Sequence, residues 1–311
     1  MKPVGAISSD IDTLQSIYRG RGLRRPRYSY AELRMGLETF SRFLEPYRIK
    51  ATLFMVGADF LVPENHDAIR AVAAAGHEIA NHTHTHAQGF RLLPPEQQER
   101  ELAQMEDACV AVTGKRPAGF RSPGWNMGDS AVEILERRGY LYDSSVHPMF
   151  ATPALKALHW LSTADCDALD RTTLGQWSYM FAPLRPYRCD GRTLTRRGNG
   201  LVELPLSVVP IVRAPFWATF LQATGFGFFK TCYRLVTAMG LPVHYMFHLH
   251  DFVDYSHPDL ADQVPAAADR VYVPGALRTP LAPRLDLFRR ALDVIAADYQ
   301  LSTCEQWARS V

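Results

Sequence analysis

Two carboxylates and a dense group of histidines lie in the first third of the chain. Asp10 and Asp12 end the apolar run 4–9, and four histidines fall between positions 77 and 86. In an extended segment, Asp10 and Asp12 point to the same side, so one can bind a cation while the other stays free as a base. Imidazoles and carboxylates are the usual ligands of hydrolytic zinc ions. The sequence therefore predicts a metal centre beside a general base.

The local conformation of this segment decides which histidines bind the metal. A helical turn brings His82 and His86 together, whereas a continued strand aligns His82, His84 and His86. We favour the helical-turn pair and keep His84 as its rival. Two imidazoles plus one carboxylate leave a coordination position for water, as catalytic zinc sites require. We expect one divalent ion, Zn²⁺, although such ligands also accept Co²⁺, Ni²⁺ or Fe²⁺.

Further polar residues end other apolar runs. Arg121 opens the segment Arg-Ser-Pro-Gly-Trp at 121–125, Asp143 follows the run 141–142, and His248 and His250 end the very apolar run 243–249. An arginine at such a position can pair with a carboxylate and orient it, while a Pro-Gly turn fixes the backbone for close approach. All these groups fall at the same end of successive strands, which a chance scatter of polar residues would seldom produce.

The elements that must position these residues alternate along the chain. Strand-like runs occur at 4–9, 51–56, 77–80, 118–120, 141–142, 201–206 and 243–249, and helical patterns occur at 67–75, 94–113 and 129–138. A capping box at 29–32 predicts a further helix with Leu33, Leu37, Phe40 and Leu44 on one face. This alternation predicts one α/β domain over 1–311 with mainly parallel strands, as an open sheet or a barrel.

Two segments depart from the alternation. The proline-containing stretch 147–200 predicts an insertion at one rim, and its arginines are better explained as a solvated basic loop than as a phosphate site; they are Arg185, Arg188, Arg192, Arg196 and Arg197. The apolar segment 215–240 contains too many polar residues and glycines for a membrane span. It predicts either a crossover helix or an interfacial helix that contacts a membrane through Trp217 and Phe220.

Composition excludes several classes of protein. The 311 residues are 47% hydrophobic and 21% charged, with a formal net charge of +2. Such a chain buries a large core and has no whole-protein field that would attract nucleic acid, so we expect no nucleic-acid partner. Its five cysteines are scattered and predict reduced thiols. Because no leader-like segment precedes the first strand, we expect a cytoplasmic protein.

Taken together, five ordered segments resemble the motifs of the NodB-homology polysaccharide deacetylases, the family 4 carbohydrate esterases. They are Ser-Asp-Ile-Asp at 9–12, His-Thr-His-Thr-His at 82–86, Arg-Ser-Pro-Gly at 121–124, Asp-Ser at 143–144 and Leu-His-Asp at 249–251. The resemblance covers residues 4–254. It implies an irregular (β/α)7-type barrel of mainly parallel strands, with about seven strands.

The resemblance also implies a role for each site residue. Asp10 would be the catalytic base, Asp12, His82 and His86 the metal ligands, Arg121 the partner of Asp10, Asp143 the residue that tunes the acid, and His250 the acid, with His248 as the weaker candidate. Pro123, Gly124 and Trp125 would contact substrate. The implied reaction is hydrolysis of an N-acyl group, acetyl or formyl, on an amino sugar.

One departure from the commoner motif bears on the substrate. The usual form has adjacent aspartates after Thr-Phe, whereas Ile11 separates them here. The spaced form resembles a branch that includes the deformylase of undecaprenyl-phosphate aminoarabinose. We therefore expect a small, nucleotide-linked or lipid-linked amino sugar as substrate, handled in the cytoplasm at the inner face of the membrane. The alternatives are a secreted or periplasmic polysaccharide deacetylase and a metal-binding scaffold without turnover.

Overall fold

The computed structural model describes residues 2–20, 29–154, 156–157, 175–260, 263 and 279–311. In these ranges, a nine-stranded sheet forms the centre of the molecule and a two-stranded hairpin lies beside it. The sheet contains β1 (Val4–Ile11), β2 (Thr52–Met55), β3 (Glu78–Asn81), β4 (Gly119–Phe120), β5 (Tyr142–Asp143), β6 (Tyr187–Cys189), β7 (Arg197–Glu203), β10 (His244–His248) and β11 (Gln300–Ser302). The hairpin consists of β8 (Val208–Val209) and β9 (Ala214–Pro215).

The sheet is curled and mainly parallel. Its order is β10-β1-β2-β3-β4-β5-β7-β6, and β11 also pairs with β1. All pairings from β10 to β7 are parallel, and only β6 runs antiparallel to its neighbour. The chain after β7 reaches β10, because the His244 N–H donates to Ser207 Oγ at 2.8 Å and the Ser207 N–H donates to His244 O at 3.3 Å. The predicted barrel-type α/β fold is therefore confirmed.

The burial of β1 explains why it reads as one continuous apolar run. Every residue of the strand after Val4 is buried, as is typical of parallel strands that are covered on both faces. The strand lies in the middle of the sheet, with β2 on one edge and β10 and β11 on the other. Each of the predicted runs contains or overlaps a strand of the sheet, whereas the short strands β6, β8, β9 and β11 were not predicted.

Helices cover the outside of the sheet. They are α1 (Leu14–Gly20), α2 (Ala31–Leu44), α3 (His66–Ala74), α4 (Pro95–Thr113), α5 (Asp129–Arg137), α6 (Ala218–Ala238), α7 (Leu281–Asp298) and α8 (Cys304–Ala308). The apolar face of α2 is buried as predicted. Its capping box is not formed, because Tyr30 is the N-cap and the Glu32 carboxylate accepts hydrogen bonds from the Leu14 N–H and the Tyr255 hydroxyl instead.

The two irregular segments have different outcomes. Much of 147–200 lies outside the described residues, but its described end forms β6 and most of β7 at the sheet edge, and the five arginines there are exposed. The apolar segment 215–240 contains α6, which bends at Gly225, where φ is 76°. This helix buries Leu221, Phe229 and Val236 in the main core, so it is a crossover helix packed on the sheet.

A bilayer-spanning helix is not found among the described residues.

Candidate active site

The predicted polar residues meet at one edge of the sheet because the strands are in register. Ile11, Met55, Asn81, Phe120 and Asp143 are successive partners across β1 to β5, and Asp143 faces Glu203 on β7. The residues that directly follow β1, β3 and β4 therefore lie at the same level of the sheet. These residues are Asp12, His82 and Arg121. Active sites of parallel α/β folds form at this carboxyl edge.

Three side chains at this edge form a candidate metal site. One oxygen of Asp12, Oδ1, lies 3.3 Å from His82 Nε2 and 3.2 Å from His86 Nε2. One possible ligand atom from each residue lies within 4.8 Å of the other two, and both histidines are buried. The structure thus brings together the three residues predicted as ligands. Their role in binding a metal stays a prediction.

The hydrogen bonds of His82 show that this cluster fits a cation. Its Nδ1 lies 2.7 Å from the carbonyl oxygen of Arg121, so Nδ1 carries a proton and Nε2 is the nitrogen that faces Asp12. Within the described residues, Asp12 Oδ1 has no assigned hydrogen bond. Burial alone would raise the pKa of Asp12, but His86 and His82 lower it well below its usual value. Acceptor atoms that face each other in this way require a proton or a metal ion between them.

The segment 82–86 is not the helical turn that we predicted. Thr83 and His86 have left-handed backbones, with φ of 63° and 59°, and the segment is an irregular loop. Glu101 on α4 holds this loop by accepting hydrogen bonds from the His84 and Thr85 N–H groups at 2.9 and 2.8 Å. His84 turns away, and its ring lies against Gly57, so His86 is the histidine that joins His82.

Asp10 lies in a buried ion pair with Arg121, which was its predicted partner. Arg121 NH1 donates to Asp10 Oδ1 at 2.5 Å, and the arginine is fully buried. The rest of the guanidinium is fixed by Ser144, through its carbonyl at 3.0 Å and its hydroxyl at 2.9 Å, and by Ser8 at 3.2 Å. His244 Nε2 lies 3.3 Å from the same group. Asp10 is thus held at a defined position beside Asp12.

His250 approaches the cluster from the turn after β10. Its ring stacks on that of His248, with centroids 4.9 Å apart, and its buried Nδ1 has no hydrogen-bond partner among the described residues. Burial and the charge of His248 lower the pKa of His250 well below its usual value, while the charge of Asp12 acts in the opposite direction. His250 is more buried than His248, and the charge of Asp12 acts on its pKa.

Asp143 makes different contacts from those that its predicted role suggests. Its carboxylate accepts hydrogen bonds from the Ser145 N–H and the Ser145 hydroxyl, both at 2.8 Å, and it also interacts with the carboxyl group of Glu203. The contact with Glu203 lies on the neighbouring strand β7, and His250 is not among these partners. The assignment of Asp143 as the residue that tunes the acid stays untested.

An aromatic wall stands beside the ion pair. Trp125 follows the turn that contains Pro123 and Gly124, and its ring stacks on Trp217 with centroids 5.1 Å apart and planes inclined by 18°. Within the described residues, His147 packs against Trp217 at 4.3 Å and neither of its ring nitrogens has a hydrogen-bond partner. Trp217 was predicted as a membrane contact, and this stays a prediction; its ring is half-buried and stacks on Trp125.

Three residues of this region were missed in the sequence: His147, Glu203 and His244. Glu203 lies inside the predicted run 201–206, and a carboxyl group within this apolar run was the available signal. His244 lies at the other end of β10 from His248, and its Nε2 contacts the Arg121 guanidinium. No sequence pattern marks His147 as a site residue, because the residues that contact it lie far from it in the chain.

Comparison with known proteins identifies part of the chain. Residues 35–142 match the polysaccharide deacetylase family model. This segment contains His82, His86 and Arg121, whereas both aspartates of the site and His250 lie outside it. The chain is 38% identical over 117 residues to the chitooligosaccharide deacetylase of Rhizobium leguminosarum bv. trifolii, which covers 38% of this chain and 46% of that protein.

Other relatives match over similar parts. A peptidoglycan deacetylase of Helicobacter pylori is 25% identical over 119 residues, which is 38% of this chain and 40% of that protein. The chain therefore matches less than half the length of these curated relatives. Among solved structures, a polysaccharide deacetylase structure from Mycobacterium smegmatis aligns with a TM-score of 0.59 at 20% identity, over 100% of this chain and 90% of that one. At this identity, the likeness shows the fold alone.

Proposed function

We propose that the protein is a metal-dependent hydrolase that removes an N-acyl group, acetyl or formyl, from an amino sugar, because residues 35–142 match the polysaccharide deacetylase family model. One observation carries the proposal: the Asp12, His82 and His86 cluster lies at the same strand edge as the Asp10–Arg121 ion pair. A metal site beside a positioned carboxylate is what hydrolysis of an amide needs.

The chain's own residues divide the work. Asp12, His82 and His86 would hold the ion, which when bound supplies a Lewis acid that polarises a carbonyl oxygen and makes water more acidic. Asp10 accepts the proton of the attacking water, and Arg121 fixes the carboxylate for this task. His250 gives a proton to the departing amine. Burial and the charge of His248 lower the pKa of His250, so the proton that it gives to the amine is the one that Asp10 takes from the attacking water and passes on.

The base is tested by Asp10→Asn, which keeps the shape of the side chain and removes its basicity. We expect release of acetate or formate to fall at least ~100-fold, the range in which general bases act. Elemental analysis should find unchanged metal content, because Asp10 is not in the ligand cluster. Asp259→Asn, on an exposed turn, is the matched control and should keep full activity. An unaltered rate in Asp10→Asn would refute the assigned base.

The substrate class is a finer part of the proposal: a small, nucleotide-linked or lipid-linked amino sugar. It is supported by the spaced aspartates and by an apolar rim, which we define as Phe150, Phe181, Ile211 and Val212. These side chains are 44%, 75%, 73% and 60% exposed. Phe150 and Phe181 lie 6.1 Å apart. Ile211 and Val212 lie between β8 and β9, and β9 leads directly to Trp217 in the aromatic wall.

We propose that the apolar rim makes peripheral contact with a membrane that carries the substrate. Phe220 is half-buried on α6 and contacts the more exposed Phe228. The cytoplasmic side is part of this proposal and is supported by four free, buried cysteines among the described residues. Cell fractionation tests it.

Binding to phosphatidylglycerol vesicles tests the rim. Removing two large apolar side chains with Ile211→Ser and Val212→Ser should weaken vesicle binding at least ~10-fold, since each apolar side chain that is buried contributes roughly 1.5–3 kcal/mol. Val110→Ser changes an exposed valine on α4 and should leave binding unchanged. Equal binding of the rim variant and the wild type would remove the membrane contact from the proposal. A screen of acylated nucleotide sugars, lipid-linked sugars and chito-oligosaccharides tests the substrate class itself.

A further inference from the structure

Two carboxyl groups meet in the interior beneath the candidate active site. Asp143 and Glu203 face each other in the register of β5 and β7, and neither is exposed at all. Their side chains lie close enough for the charge of Asp143 to raise the pKa of Glu203. Two ionised carboxylates repel each other at such a distance, particularly where water is excluded.

The hydrogen bonds of the pair show that it shares a proton. The Ser145 N–H and hydroxyl donate to Asp143, and the Val146 N–H donates to Glu203 Oε1 at 3.1 Å. Glu203 Oε2 is buried, and no N–H or O–H group of the described residues donates to it. A contact between this group and Asp143 is favourable only if one carboxyl carries a proton. Burial, followed by the charge of Asp143, raises the pKa of Glu203 well above its usual value, which makes Glu203 the protonated partner.

The surroundings of the pair support this assignment. In the part of the chain that the structure describes, the titratable groups that face it are Tyr179, Tyr187 and Cys189, and burial raises the pKa of each. They are therefore neutral near pH 7 and give the pair no compensating charge. Arg121 is the positive group that acts on Asp143. The pair thus carries one negative charge that faces the cation of the Asp10 ion pair.

The pair is also linked to Asp10 through the backbone. Hydrogen bonds of Asp143 and Glu203 fix the N–H groups of Ser145 and Val146. Ser144, directly before them, holds two positions of the Arg121 guanidinium through its carbonyl and hydroxyl oxygens. Arg121 in turn binds Asp10. A shift of the segment 143–146 would therefore move Arg121 and, with it, Asp10, the predicted base.

We propose that Glu203 is a positioning residue for the reaction: its protonated carboxyl group locks Asp143 and the segment 143–146, and so fixes Arg121 and Asp10. This inference rests on the proposed function of Asp10. It gives Asp143 a partner on β7. Loss of the shared proton would add a second buried negative charge, which would compete with Asp10 for Arg121.

Two variants separate positioning from a merely structural role. Glu203→Gln keeps a donor toward Asp143 but cannot lose a proton, so its kcat near pH 7 should stay within about threefold of wild type. Its activity should persist to higher pH than that of the wild type. Glu203→Leu removes the donor, and its kcat should fall at least tenfold with little change in KM. Glu133→Gln, on the exposed face of α5, should change neither property.

A second measurement does not depend on activity. A carboxyl group with a raised pKa contributes stability that is present below its unfolded pKa and is lost as pH rises through its folded pKa. The alkaline fall in Tm should therefore be smaller in Glu203→Gln than in the wild type. Equal alkaline profiles of Tm, or a Gln variant as impaired as Leu, would overturn the inference. If no acylated sugar is hydrolysed but the Tm profiles differ as expected, the proposed function fails and the shared proton stands.

Discussion

At the scale of single residues, the orientation of one imidazole decides what the candidate site can bind. The carbonyl of Arg121 fixes the protonated nitrogen of His82 and leaves the other nitrogen as a ligand directed at Asp12. The same arginine binds Asp10 through its side chain. One residue therefore orients both a predicted metal ligand and the predicted base, which ties the geometry of the candidate metal site to that of Asp10.

Replacement of His82 should remove the metal. His82→Ala deletes one of three ligands, so we expect elemental analysis of the purified variant to show at least ~10-fold less zinc than the wild type. His84→Ala is the matched control, because the His84 ring lies against Gly57 and not in the cluster. Stoichiometric zinc in His82→Ala would show that the ligand set is wrong, and zinc loss in His84→Ala would show that the loop binds through a different histidine.

At the scale of elements, the sequence predicts strands better than loops. The long, fully buried runs that became β1, β2 and β10 carry their own signal, since parallel strands are apolar on both faces. The loop 82–86 carries no such signal, because Glu101 on a later helix determines its shape. The stacking of Trp217 on Trp125 was not predicted for a related reason: the two residues lie on different elements. Site residues at strand ends could be predicted, whereas side-chain partners from distant elements could not.

The packing of α2 under the His250 turn gives a prediction at this scale. A Cβ on Gly36 would lie 2.2 Å from Leu249 Cδ1, and Leu249 is buried. Gly36→Ala should therefore cost about 1–3 kcal/mol by overpacking and shift the turn that carries His250, with a lower kcat. Denaturant unfolding and steady-state kinetics measure both effects.

The matched control for this change is Gly227→Ala on α6, where a Cβ meets nothing within 4 Å. It should gain roughly 0.5–1 kcal/mol from the better helix propensity of alanine. A Gly36→Ala protein as stable and active as the wild type would mean that Leu249 repacks freely.

At the scale of the whole molecule, buried titratable groups set the response of stability to pH. Burial lowers the pKa of His77 to about 4 from its ordinary 6.5, and it also lowers those of His147 and His244. Such groups contribute stability that is fully present above the unfolded pKa and is lost as pH falls toward the folded pKa. Asp59 acts in the opposite direction, because burial raises its pKa to about 7.

The contribution of His77 can be isolated by comparison with His77→Gln, whose side chain can still accept the hydrogen bond that the Ala51 N–H gives to His77 Nδ1. Between pH 6.5 and 5, the wild type should lose up to about 2 kcal/mol more unfolding free energy than the variant. Urea unfolding at both pH values measures the difference. Parallel losses in the two proteins would show that His77 titrates normally in the folded state.

The central position of β1 has a consequence for how the protein folds during synthesis. This strand, which carries Asp10 and leads to Asp12, precedes the other described strands in the chain, yet its partners β10 and β11 follow all of them. Until these two strands are made, one hydrogen-bonding edge of β1 has no strand beside it, and such edges favour aggregation in nascent chains. The edge of the sheet that carries the candidate site is therefore completed only after β10 has been synthesised.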